Sequence, residues 1–128
     1  MKVKKRVLCF GNPYLDMDNR VFEILNELKI PNFEFIKCES FTDILNYKDE
    51  KEIIIIDTVK NIKKPILIRD INQLKNHKSL TLHDFDLSFN LKLLKEIGEI
   101  KNIIIIGIPQ KGNKEEIKRE IKNLIKML

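Results

Sequence analysis

Two runs of consecutive isoleucines set the frame for this chain. Glu52-Ile53-Ile54-Ile55-Ile56-Asp57 and Asn102-Ile103-Ile104-Ile105-Ile106-Gly107 are apolar at every inner position. A strand that is apolar on both faces must be covered on both, so these are predicted to be central strands of a sheet with helices on either side. Arg6 to Phe10 is a third apolar run, stopped by the turn signal Gly11-Asn12-Pro13. Phe33 to Ile36 alternates and reads as another strand. Pro65 to Ile68 reads as a fifth, and its leading proline suits the first residue of a strand or an edge.

Between these runs the period changes from two residues to 3.6. Asp18 to Leu28 puts Val21, Ile24, Leu25 and Leu28 on one helical face, with Asp18 suited to the start and Pro31 to the stop. Phe41 to Leu45 reads as a short helical turn. Residues 72–82 are polar and irregular. Leu87 to Ile97 carries Leu87, Leu91, Leu94 and Ile97 on one face and ends at Gly98. After the break at Gly112-Asn113, Lys114 to Leu128 carries a stripe of Ile117, Ile121, Leu124, Ile125 and Leu128. Strands alternating with helices predict an α/β fold: one doubly wound domain over residues 1–128, with a mostly parallel central sheet and helices on both faces. No internal repeat, low-complexity tract or linker interrupts it.

At 128 residues, 43% hydrophobic and 34% charged, the chain has the composition of one globular domain that builds a core without disulfides. The net charge of +5 raises the question of nucleic acid. Against it, the lysines alternate with acids, as in Lys114-Glu115-Glu116-Ile117-Lys118-Arg119-Glu120, and no aromatic residues punctuate a basic stripe. No nucleic-acid partner is expected. The two cysteines, Cys9 and Cys38, suit buried thiols in a reducing compartment better than a disulfide framework. No apolar run reaches membrane-spanning length and no signal-peptide core follows the basic first residues, so a soluble cytoplasmic protein with no membrane partner is expected. A monomer is expected too, because no long exposed apolar stripe is evident.

The candidate chemistry lies at the ends of the predicted strands, where open α/β sheets bind ligands. Asp18 follows the first strand, Asp57 ends the third, and His83 precedes the Leu87 helix. Each has an ordinary alternative. Asp18 is a favoured helix cap, Asp57 could cap a turn, and His83 could be a surface or capping residue, as Asp84 or Asp86 could be. Together, two carboxylates and an imidazole form a borderline-hard donor set suited to nickel, zinc, manganese or iron, with coordination positions left open. No G-x-G-x-x-G, P-loop or G-x-S-x-G motif is present.

Phe10-Gly11-Asn12-Pro13-Tyr14-Leu15-Asp16-Met17-Asp18 resembles the opening motif of the hydrogenase maturation endopeptidases. Ile53-Ile54-Ile55-Ile56-Asp57-Thr58-Val59, Thr81-Leu82-His83-Asp84-Phe85-Asp86-Leu87 and Ile106-Gly107-Ile108-Pro109-Gln110 resemble its later motifs, in the same order. The last of these matches a strand and a Gly-x-x-Pro-like turn. The likeness is greatest to archaeal-type members. It implies a protease that trims the C-terminal extension from the large subunit of a nickel–iron hydrogenase. It also implies that Asp18, Asp57 and His83 recognise the metal, with nickel supplied by the precursor, although another divalent ion such as zinc would suit the same donors. Asn12, Asp16 and Glu39 are candidates for substrate contact. No catalytic nucleophile is implied. The chain departs from the pattern at Met17, which replaces the first acid of the pair, and at Cys38-Glu39-Ser40-Phe41, which replaces a Gly-Gly-Thr segment. Two other readings follow from the same residues: a metal-precursor binding module that does not cut, and a signalling receiver domain with Asp57 as its acceptor.

Overall fold

Strands and helices alternate at both ends of the chain, with a cluster of short strands between. The computed structural model describes residues 5–10, 16–38, 41–60, 62–70, 81–82, 85–96, 98, 100 and 102–128. In order these form β1 (Lys5–Phe10), α1 (Asp16–Glu27), β2 (Phe33–Cys38), a 3-10 helix (Phe41–Tyr47) and β3 (Glu52–Lys60). Then come β4 (Ile66–Ile68), β5 (Thr81–Leu82), α2 (Phe85–Glu96), β6 (Asn102–Pro109) and α3 (Lys114–Lys126).

The sheet order is β2-β1-β3-β6-β4, with β5 pairing β3 off this path. The two isoleucine runs lie side by side in parallel, Ile53 opposite Ile103 through Ile56 opposite Ile106. β1 runs parallel to both β2 and β3. β4 is the antiparallel edge that the leading Pro65 suits, pairing Ile66 with Gly107 and Ile68 with Ile105. The expected α/β architecture therefore holds.

Strand alternation divides the core in two. On one face Val7, Cys9, Ile54, Ile56, Ile106 and Ile108 meet α1 through Phe22, Ile24, Leu25 and Leu28, and α3 through Ile117, Ile121 and Ile125. On the other, Leu8, Phe10, Ile53, Ile55, Val59, Ile103 and Ile105 meet Ile44 of the 3-10 helix and Leu91 and Leu94 of α2. Cys9 and Cys38 are buried free thiols on opposite faces, so they cannot bridge. Burial pushes the Cys38 thiol up to about 11 and the Cys9 thiol higher still.

Local chemistry sets the element ends. Asn32 takes a positive φ of 71°, which asparagine tolerates, and its carbonyl accepts from Lys5 N at 2.8 Å. Asn113 caps α3 by accepting from Glu116 N at 3.0 Å. α2 ends at Glu96, and Gly98, at φ +80°, closes it by donating from its N to Lys95 O at 3.1 Å. A surface ion cluster joins two helices: Glu27 of α1 accepts from Lys114 and Lys118 of α3 at 3.0–3.2 Å.

Several boundaries differ from the sequence expectation. β3 runs three residues past Asp57, because Thr58 and Val59 are β-branched and find partners in Ile108 and Pro109. Ile106-Gly107-Ile108-Pro109 is strand rather than turn, since β6 continues through it beside β3. α1 begins at Asp16, so Asp18 lies inside the first turn instead of capping it. α2 begins at Phe85, which likewise puts Asp86 inside its first turn.

Candidate functional site

β1 is shorter than β3, and that difference makes the site. The register between them ends at Cys9 opposite Ile56, and β1 itself ends at Phe10. Beyond that point β3 keeps its pairing with β6 on one edge as far as Val59 opposite Pro109. Its other edge, vacated by β1, is taken up by β5, which runs antiparallel with Leu82 opposite Val59 and Thr81 opposite Lys60. Asp57 and Thr58 lie in the interval between the end of β1 and the end of β5.

This interval is also the topological switch point of the sheet. From β1 the chain crosses to β2 on one side, while β3 lies on the other. In open α/β sheets the strand order reverses there and leaves a crevice at the carboxyl ends.

Asp57 shares its face with Ile55 and Val59, two residues to either side, and so faces the α2 layer. It is 2% exposed. One oxygen, Oδ2, is buried without a hydrogen bond, although the residue has an interaction elsewhere. A carboxylate among apolar groups costs several kcal/mol unless it is paired, hydrogen-bonded or bound to a metal. Thr58, also 2% exposed, faces the α1 and α3 layer. Gly107 lies directly opposite Asp57 in β6.

The other predicted ligands are described less fully. Asp18 is in the first turn of α1, which follows the carboxyl end of β1, and its carboxylate lies outside the described part of the structure. Asp16 is the first residue of that helix, and its side chain too lies outside the description. His83, Asp84, Asn12 and Glu39 lie outside the described residues. Cys9, opposite Ile56, and Leu82, opposite Val59, flank Asp57 on one edge of β3; Phe10 is the last described residue before 11–15 and Leu82 the last before His83. Among the described residues, no three His, Cys, Asp or Glu side chains are grouped to hold a metal ion. Of the three predicted ligands only Asp57 has a described side chain.

A family model described as hydrogenase maturation protease matches residues 37–128. The chain belongs to that family. The match spans Asp57 and His83 and begins after Asp18. The family is one of peptidases, and the receiver reading falls. The fold departs from a receiver as well, because a flavodoxin-like 2-1-3-4-5 sheet is parallel, whereas β4 here is antiparallel. One solved structure, titled "The crystal structure of an uncharacterized protein from Wolinella succinogenes", matches with a TM-score of 0.56. It is 14% identical, and the match covers 98% of this chain and 96% of that one, a likeness of fold. No curated protein matches. Among the described residues of this hydrogenase maturation protease, no helix is long and apolar enough to cross a membrane.

Sequence reasoning missed β5 and the relation of Val59 to Gly107. A two-residue strand carries no periodicity. The Gly107 signal was present as a glycine inside a strand run, which marks close approach of a neighbour.

Proposed function

We propose that this protein removes the C-terminal extension of a nickel-loaded hydrogenase large-subunit precursor, and that Asp18, Asp57 and His83 recognise the metal. The observation that carries the reading is the buried Asp57 carboxylate at the switch point, on the strand edge that β1 leaves and β5 joins. His83 is one covalent step from Leu82, which pairs two residues along from Asp57. Asp18 is in the first turn of the helix that follows β1.

The donor set fits a divalent metal. Carboxylate oxygens and one imidazole suit nickel and zinc, and three ligands leave positions for substrate. A metal held there supplies Lewis acidity toward the scissile carbonyl. The chain's own contribution is orientation. Asp57 is fixed by a central strand paired through Gly107, and its apolar surroundings exclude bulk water from one side. The imidazole of His83 must be neutral to ligate, and both carboxylates ionised. Asn12, Asp16 and Glu39 would contact the precursor around this point. The protein acts in the cytoplasm as a monomer.

The test is the intact mass of a nickel-loaded large-subunit precursor before and after incubation with the protein. Nickel-dependent loss of a C-terminal peptide, absent with His83→Ala, supports the reading. An unchanged mass, with a precursor that another maturation protease can cut, replaces it with a binding module that inspects metal loading.

A further inference from the structure

Gly107 stands where β6 lies against Val59 of β3 and Ile66 of β4. A Cβ built on it would stand 2.5 Å from Val59 Cγ2, 3.2 Å from Val59 Cβ and 3.2 Å from Ile66 Cγ1. Turning the valine side chain relieves only the first of these contacts. The Cβ of Val59 is fixed to the β3 backbone, and a β-branched side chain has few rotamers to turn to. Val59 is fully buried, so it has no solvent to move into. A side chain at position 107 would therefore push β3 away from β6 at the level of Asp57 and Val59.

Val59 also has a second attachment. On its other edge it pairs with Leu82, the residue before His83, and on its own strand it is two residues from Asp57. The backbone position of Val59 is thus common to Asp57 and to the strand that leads to His83.

We infer that Gly107 is a positioning residue for the metal-recognition site, acting through Val59 to set where Asp57 and β5 stand. The inference rests on the reading of Asp57 as a metal ligand. The missing Cβ lets Val59 seat against β6. The seated Val59 holds the end of β3 in the register that Leu82 shares, and no side-chain contact with the metal or substrate is involved.

The experiment is a calorimetric titration of the purified full chain with nickel ion alone, with melting temperatures recorded in parallel. Gly107→Ala weakens nickel binding by about 10-fold or more, the range seen when a ligand loses its supporting partner. Val59→Ala in the same chain removes the methyl carbon behind the 2.5 Å contact but keeps the Cβ, so it restores most, not all, of the lost affinity relative to Val59→Ala alone. Ile121→Ala, a cavity in the opposite layer under α3, lowers the melting temperature without changing nickel affinity. If Gly107→Ala does not fold, the double variant is compared with Val59→Ala alone: weaker nickel binding by the double variant, from the contacts that the Cβ of residue 59 and Ile66 keep, supports the inference, and equal binding overturns it. Unchanged affinity in Gly107→Ala also overturns it, while loss of binding in Asp57→Asn leaves the ligand assignment standing. Normal nickel binding by Asp57→Asn, or none by the unsubstituted protein, overturns the ligand assignment and this inference with it.

Discussion

Asp57 and Gly107 lie directly opposite each other in β3 and β6, a buried carboxylate beside a residue with no side chain. The pairing concentrates a polar demand and an absence of bulk at one level of an otherwise isoleucine-filled sheet. A candidate ligand position and a closely packed strand pair meet at these two residues.

Asp57→Asn tests the polar half of that pair. Removing the charge while keeping the shape should lower precursor processing by more than the roughly 10- to 100-fold that loss of a mere supporting partner costs. The melting temperature should hold or rise, because an amide of the same shape is less costly to bury than a carboxylate. Processing rate and thermal denaturation measured on the same preparation check both. A fall in stability with processing intact would assign Asp57 to the fold alone.

His83→Ala and Asp18→Ala should each abolish processing and leave the circular dichroism spectrum unchanged. The motivation is that His83 follows β5 in the chain and Asp18 lies in the first turn of α1, the helix that follows β1. Precursor cleavage at the normal rate by either variant would remove that residue from the site.

Much of the fold was legible from pattern alone. The two isoleucine runs were read as central strands, and they are adjacent and parallel because each offers two apolar faces that only a covered position accepts. The helical stripes also held: Ile24, Leu25 and Leu28 meet one face of the sheet, and Leu91 and Leu94 the other. The site was less legible for a physical reason. Thr58-Val59-Lys60 looks like the exit of a strand until β5 arrives from more than twenty residues away to pair with it. No local property of Thr81-Leu82 announces a strand, since its pairing is supplied entirely by tertiary structure.

The Glu27 cluster makes a pH dependence with a definite sign. Hydrogen bonds from Lys118 and then Lys114 lower the Glu27 carboxyl below its ordinary value of 4.5. A depressed carboxyl stabilises the folded state above the unfolded value and stops doing so as pH falls through the folded one. The melting temperature of Glu27→Gln should therefore lie slightly below that of the wild type at neutral pH, and the gap should close as the solution is acidified below about 4.5. High salt should close it as well, because the cluster is at the surface. A gap that widens in acid would contradict the ion-cluster assignment.

The thiols predict resistance to modification. Burial raises both, Cys38 to about 11 from the ordinary 9.0, so little thiolate is present at neutral pH. A disulfide reagent should label neither Cys9 nor Cys38 in the native protein and both after denaturation. The sign on stability is opposite to that of Glu27: with the folded value raised, stability falls as pH climbs from 9 toward 11. Rapid labelling of either thiol in the native protein would show that its layer opens readily.

β3 changes partners along one edge, from six-residue β1 to two-residue β5. The consequence is kinetic. A ladder of two residues has few hydrogen bonds to hold it, so it is the cheapest pairing for this sheet to lose. β5 can therefore open while the isoleucine core, with Asp57 on it, stays shut. Amide hydrogens of Thr81 and Leu82 should exchange well ahead of those of Ile54 and Ile104, which lie inside the long ladder of β3 with β6.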